Sequence, residues 1–172
     1  FGLEDTGSSK WITGIERSLP ANAFDTGDNM GIKLHSYTDL YTYNIGIYKE
    51  AIDADDNALD TAITGRIAIR PIQTDNQLLH LGAGFTSRDG EFDEIGARLG
   101  VRGGEDKTAN KVKAEYDGLT GDQLEAWNLE LGARLGPVHL MAEYFDGEIT
   151  GASSTPDLAA DGYYFQAGWI VT

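Results

Sequence analysis

The sequence predicts an all-β chain folded as an antiparallel up-and-down meander. Three observations predict it: apolar and polar residues alternate over most of the length, helical spacing is sustained nowhere, and short links alternate with long ones. Period-2 alternation marks a strand whose two faces meet different surroundings. Cysteine is absent, which excludes a disulfide scaffold and any thiolate metal site. The formal charge of −15, from 13 Lys and Arg against 28 Asp and Glu, argues against non-specific nucleic-acid binding, which draws on excess cationic charge. No stretch approaches the roughly 20 apolar residues that a membrane helix requires, whereas a membrane β-barrel needs no continuous apolar run.

The elements follow in order. Segments 30–38 and 41–49 read as two strands with a weak pattern. Ile63, Ile67 and Ile69 then alternate with Thr64, Arg66, Ala68 and Arg70, and Leu79, Leu81, Ala83 and Phe85 alternate with His80, Gly82, Gly84 and Thr86. Ile95, Ala97, Leu99 and Val101 alternate with Glu94, Arg98 and Arg102, and Val112, Ala114 and Tyr116 with Lys111, Lys113 and Glu115. Trp127, Leu129, Leu131, Ala133 and Leu135 alternate with Asn128, Glu130 and Arg134; the stretch 121–130 has some helical character before that pattern takes over. Val138, Leu140, Ala142 and Tyr144 alternate with His139 and Glu143, and the last strand carries Tyr163, Phe165, Ala167 and Trp169 on one face. Short links are expected at 38–40, 71–77, 103–107 and 136–137, and long ones at 50–60, 87–92, 117–123 and 146–161, with Asp-Gly dipeptides marking turns. Strands of about 9 to 11 residues have the length that a tilted strand needs to cross a bilayer. Aromatic residues near strand ends suit an interfacial girdle, and ordinary β-propensity explains them one at a time almost as well.

The charge pattern carries the functional reading. Seven of the 13 basic residues fall on the polar strand face, namely Arg66, Arg70, Arg98, Arg102, Lys111, Lys113 and Arg134, against four acids there, Glu94, Glu115, Glu130 and Glu143. Other acids crowd into expected loops, as at Asp53, Asp55, Asp56, Asp60, Asp89, Glu91, Asp93, Asp157 and Asp161. Residues four apart in a strand share a face roughly 13 Å apart, so Arg66 with Arg70 and Arg98 with Arg102 form a ladder. Guanidinium groups along a pore wall would attract and pass oxyanions. A solvated sheet face with Arg and Glu paired across strands accounts for the same pattern. Glu130 and Glu143 are expected to offset Arg134. The three histidines, His35, His80 and His139, show no ligand spacing, no nucleophile elbow is present, and no cofactor or metal is expected. Asp53-Ala54-Asp55-Asp56-Asn57 opens like a calcium loop but has Ala58 where the tight turn wants glycine; a solvated loop, or one that bridges lipopolysaccharide through divalent ions, are its two readings.

Several stretches resemble the phosphate-selective porin family of Gram-negative outer membranes. These are Phe1-Gly2-Leu3-Glu4; Glu16-Arg17-Ser18-Leu19-Pro20 followed by Ala23-Phe24; Leu78-Leu79-His80-Leu81-Gly82; Gly136-Pro137 with Glu143-Tyr144; and Gly162-Tyr163-Tyr164 with Trp169 and Thr172. The matches cover nearly the whole chain in the family's order. The resemblance implies a transmembrane barrel of about 16 strands, of which this chain would be an internal piece of about half, assembled as a homotrimer. It implies an outer-membrane diffusion channel for small anions, phosphate or polyphosphate first, with no covalent chemistry. Residues 1–29 would be a loop folded into the pore, with Lys10 and Arg17 as anion contacts, and 30–172 would supply about nine strands. The acidic balance favours a weakly selective general porin as an alternative. A soluble secreted β-sandwich with an acidic surface is the alternative from another class.

Overall fold

The computed structural model describes residues 2–7, 17–25, 30–49, 61–98, 111–151 and 156–171. Two short helices, α1 (Leu3–Thr6) and α2 (Leu19–Ala23), precede nine strands: β1 (Met30–Tyr37), β2 (Tyr41–Lys49), β3 (Thr61–Gln73), β4 (Gln77–Phe92), β5 (Glu94–Arg98), β6 (Lys111–Glu115), β7 (Gly121–Leu135), β8 (Val138–Thr150) and β9 (Leu158–Trp169). Seven of the strands form one antiparallel sheet in the order β1-β2-β3-β4-β7-β8-β9; β5 and β6 pair only with each other. The stretch 121–130 is strand throughout, its helical character overridden by pairing with β4 and β8.

The wall is therefore a meander with one insertion. Its connections run short at 38–40, 74–76 and 136–137, and long at 50–60, 93–120 and 151–157, so all the short turns lie at one rim. The β5–β6 hairpin sits inside the second long connection. Two expected links are shorter than the pattern suggested: β4 continues through 87–92 to Phe92, and β8 and β9 extend over much of 146–161, which places Asp89, Glu91 and Asp161 on strands rather than in loops. At the tight rim, Gly136 takes φ +58°, a left-handed conformation that glycine adopts without a side-chain clash. The backbone also ties neighbouring turns together there, Gly136 N–H to Asn76 O and Ile170 N–H to Pro137 O.

Burial on this wall is inverted relative to a water-soluble sheet. Ile67 is 56% exposed, Leu129 52% and Phe165 64%, while Asn128 is fully buried and Glu130 and Glu143 are 3% and 2% exposed. The apolar face points outward, and the polar face is covered by residues 2–7, by α2 and by the hairpin. At the long-loop rim that cover is apolar. Ala21, Phe24, Ile95, Tyr116, Ala126, Phe145 and Ile149 form the buried cluster. Phe24 stacks on Phe145 at 5.8 Å between ring centroids, and the Tyr116 hydroxyl donates to the Ile149 carbonyl at 2.8 Å. The core lies on the inner side of the wall and clamps the hairpin and α2 against β8 and β9.

Candidate functional site

The inner face of the wall is built from alternate residues of each strand. Register places Lys33 and His35 of β1 beside Gly46 and Asn44 of β2, and Asn44 beside Arg66 of β3. Arg66 lies opposite Gly84, Gly82 opposite Glu130, Glu130 opposite Glu143, and Glu143 opposite Tyr164. The polar residues thus cross the sheet on a diagonal, stepping two residues along β4 between Gly84 and Gly82.

Its centre is an ion-paired cluster. Arg66 Nε and Nη2 donate to the two carboxylate oxygens of Glu130, each at 2.6 Å. Arg66 stands on β3 and Glu130 on β7, two strand spacings across and two residues along, roughly 12 Å apart. They meet because β4 carries glycine at both intervening positions, 82 and 84. A Cβ on Gly82 would collide with the Glu130 carboxylate. His80 Nε2 adds a contact to Glu130 Oε2 at 2.9 Å. Such two-point, charge-assisted contacts are the strong class of hydrogen bond. Glu130 is therefore neutralised by Arg66 and not by Arg134, a correction that follows from register: Arg134 sits four residues further along β7, level with the short turns.

The second carboxylate is held by neutral donors. Glu143 Oε1 accepts from Leu3 N–H at 2.6 Å and from Asn128 Nδ2 at 3.1 Å; Oε2 accepts from Glu4 N–H at 3.0 Å and from the Tyr164 hydroxyl at 2.5 Å. Buried Glu4 in turn accepts from Ser18 N–H at 2.9 Å and from Gln166 Nε2 at 3.1 Å. The residues before β1 are thereby bonded to the inner face of β8 and β9.

The sequence-predicted basic residues separate into groups. Arg66 is spent on Glu130. Arg70 donates to the carbonyls of Asp39 and Thr38 and to the Thr42 hydroxyl, and Arg134 to the carbonyls of Thr74 and Asp75, so both brace the short-turn rim. Arg17 donates to the Asp5 carbonyl at 3.2 Å and lies 3.8 Å from its carboxylate, joining the two stretches before β1. Lys113 pairs with Glu94 and Glu115 on the hairpin. Arg98 lies opposite Lys111 in the hairpin register, and Ile95 and Ala97 turn to the core. Lys10, Arg102 and the acidic stretch 50–60 lie outside the described residues. Two inner-face cations were missed. Lys33 alternates with Ile32 and Leu34, a signal that was available, and makes no hydrogen bond or ion pair among the described residues. Arg88 falls in the link expected at 87–92 and instead sits on β4, opposite Ala62.

A soluble sandwich buries its apolar face and wets its polar one; this wall does the reverse. The family profile described as "Phosphate-selective porin O and P" matches residues 1–172. The chain belongs to that family. It is also similar to Porin O of Pseudomonas aeruginosa, with 30% identity over an alignment that covers 100% of this chain and 44% of that protein. The chain thus spans less than half the length of the curated relative it matches. Its open antiparallel sheet is a segment of an outer-membrane β-barrel of the Gram-negative type, with the outward apolar face toward lipid.

Proposed function

We propose that this segment forms part of the wall of a passive outer-membrane channel for small anions, phosphate first. The observation that supports this reading is the way the inner face disposes of its acids. Glu130 is matched by Arg66 and His80, and Glu143 is bonded by backbone and neutral side chains, so neither carboxylate faces a permeating ion. Lys33 of β1 remains as a cation on this face, and Arg98 and Lys111 stand opposite one another in the hairpin register. Amino and guanidinium groups in series can replace part of an anion's hydration, with each contact weak enough to release it again. In this reading Arg66, Arg70 and Arg134 shape the wall, and the ladder runs through the hairpin. Residues 2–7 and 17–25 narrow the passage from the polar side.

The test is the reversal potential of the full-length protein in planar bilayers under a salt gradient, first in chloride and then with phosphate added. Anion selectivity with phosphate blocking chloride current is expected. Cation selectivity would mean that acidic loops dominate and the phosphate assignment is wrong. We propose that the full-length protein assembles as a homotrimer, as the family resemblance implies; cross-linking of the full-length protein in native membranes reads that number directly.

A further inference from the structure

We infer that Glu143 is a positioning residue that latches residues 2–7 and 17–25 to the inner face of the wall and so sets the width of the passage. The inference rests on the channel reading above. Four donors converge on this one side chain, and two of them are backbone amides of α1, 140 and 139 residues away in sequence. An ionised carboxylate accepts at both oxygens and donates at neither, so it suits this set of donors. A second carboxylate extends the latch. Glu4 binds Ser18 N–H, just before α2, and Gln166 of β9, so the two stretches before β1 are fastened to each other and to two wall strands. Glycine at position 2 matters for the same reason: it takes φ +112°, and a Cβ there would stand 2.9 Å from Glu143 Oε1. Leu3 and Glu4 reach the wall at Glu143 and Gln166, while Arg17 joins the two stretches at Asp5. Apolar packing holds α2 independently through Phe24, which makes residues 2–7 the part that the latch controls.

The test uses the full-length protein in detergent and in bilayers, with Glu143→Gln and, separately, Gln166→Leu. Glu143→Gln keeps the side chain's size and removes one acceptor from the Leu3 and Glu4 amides. Gln166→Leu leaves Glu143 untouched and loosens Glu4 alone. Amide hydrogen exchange at Leu3, Glu4 and Ser18 should become about tenfold faster or more in Glu143→Gln. In Gln166→Leu the change should be smaller and greatest at Ser18. Exchange in β7 and β8 backbone should not change. Single-channel conductance should rise in the same order, with more open-channel noise. Unchanged exchange at these amides in both variants would overturn the inference. So would faster exchange with unaltered conductance, because the segment would then be tethered without setting the passage. Absence of anion conduction by the wild-type protein would instead overturn the channel reading and the pore-width claim with it, while the exchange arm would still report on the tether.

Discussion

Arg66→Met is the sharpest perturbation of the wall. It removes both 2.6 Å donors from Glu130 and leaves a 3% exposed carboxylate with His80 and a 3.5 Å contact from Asn128. Breaking one side of a buried pair costs about 3–5 kcal/mol, because the surviving charge keeps its desolvation penalty without its partner. Single variant Glu130→Gln should cost less, since guanidinium on the inner face can turn toward solvent. The double variant Arg66→Met with Glu130→Gln removes the pair as a unit. It should recover most of the loss, giving a coupling energy of about 1.5 kcal/mol or more in the double-mutant cycle. The assay is urea-induced unfolding of the full-length protein, followed by the mobility shift between folded and unfolded barrel on unheated gels. The same double variant has an unchanged net charge on the inner face, so its anion preference in bilayers should match the wild type. An Arg66→Met effect below about 0.5 kcal/mol, or strict additivity in the cycle, would refute the buried pair. Loss of anion preference in the double variant would refute the assignment of Arg66 to the wall rather than to the permeation path.

Three further outcomes follow from the same geometry. Lys33→Glu, on an exposed inner-face position, should lower anion selectivity in the reversal-potential measurement and shift stability by less than about 0.5 kcal/mol; unchanged selectivity would remove β1 from the path. Gly82→Ala should destabilise by about 1–3 kcal/mol in urea unfolding, because the new Cβ occupies the space of the Glu130 carboxylate; a neutral result would mean that Arg66 reaches Glu130 by another route. Leu129→Arg and Leu135→Arg compare two outward residues of similar exposure, 52% and 58%, at the middle and at the rim of β7. In a bilayer the first should cost about 2–4 kcal/mol and the second at most about 1, measured by unfolding in lipid vesicles; equal costs would contradict a lipid-facing wall.

Much of the wall was legible because alternation is a local property. Ile63, Ile67 and Ile69 announce one face, and Leu129, Leu131 and Leu135 another, without knowledge of any partner. Alternation does not reveal which sheet a strand joins. Glu94–Arg98 and Lys111–Glu115 have the same two-faced pattern as β3, yet they pair only with each other. Strand order is decided by pairing, which joins β4 directly to β7 and leaves β5 and β6 to each other. Their apolar side accordingly finds Phe24, Phe145 and Ile149 instead of lipid. The same shortfall affects strand ends. Asp89, Glu91 and Asp161 look like loop residues by composition, but pairing with β7 and β8 carries the strands past them or up to them.

The site was less legible than the fold, and the reason is that charge partners are chosen by register across strands. Arg66, Arg70 and Arg134 share a face by periodicity, yet their fates differ with height. Arg66 is level with Asn128 and reaches diagonally past two glycines to Glu130; Arg70 and Arg134 lie level with the turns, where carbonyls of Thr38, Asp39, Thr74 and Asp75 accept from them. A row of arginines in a sequence therefore overstates the positive charge available to an ion. The acids are overstated in the same way, since Glu130 and Glu143 are both bonded internally. What the inner face offers to an anion is the remainder after these internal pairings. On the channel reading that remainder includes Lys33 of β1, in a chain whose total charge is −15.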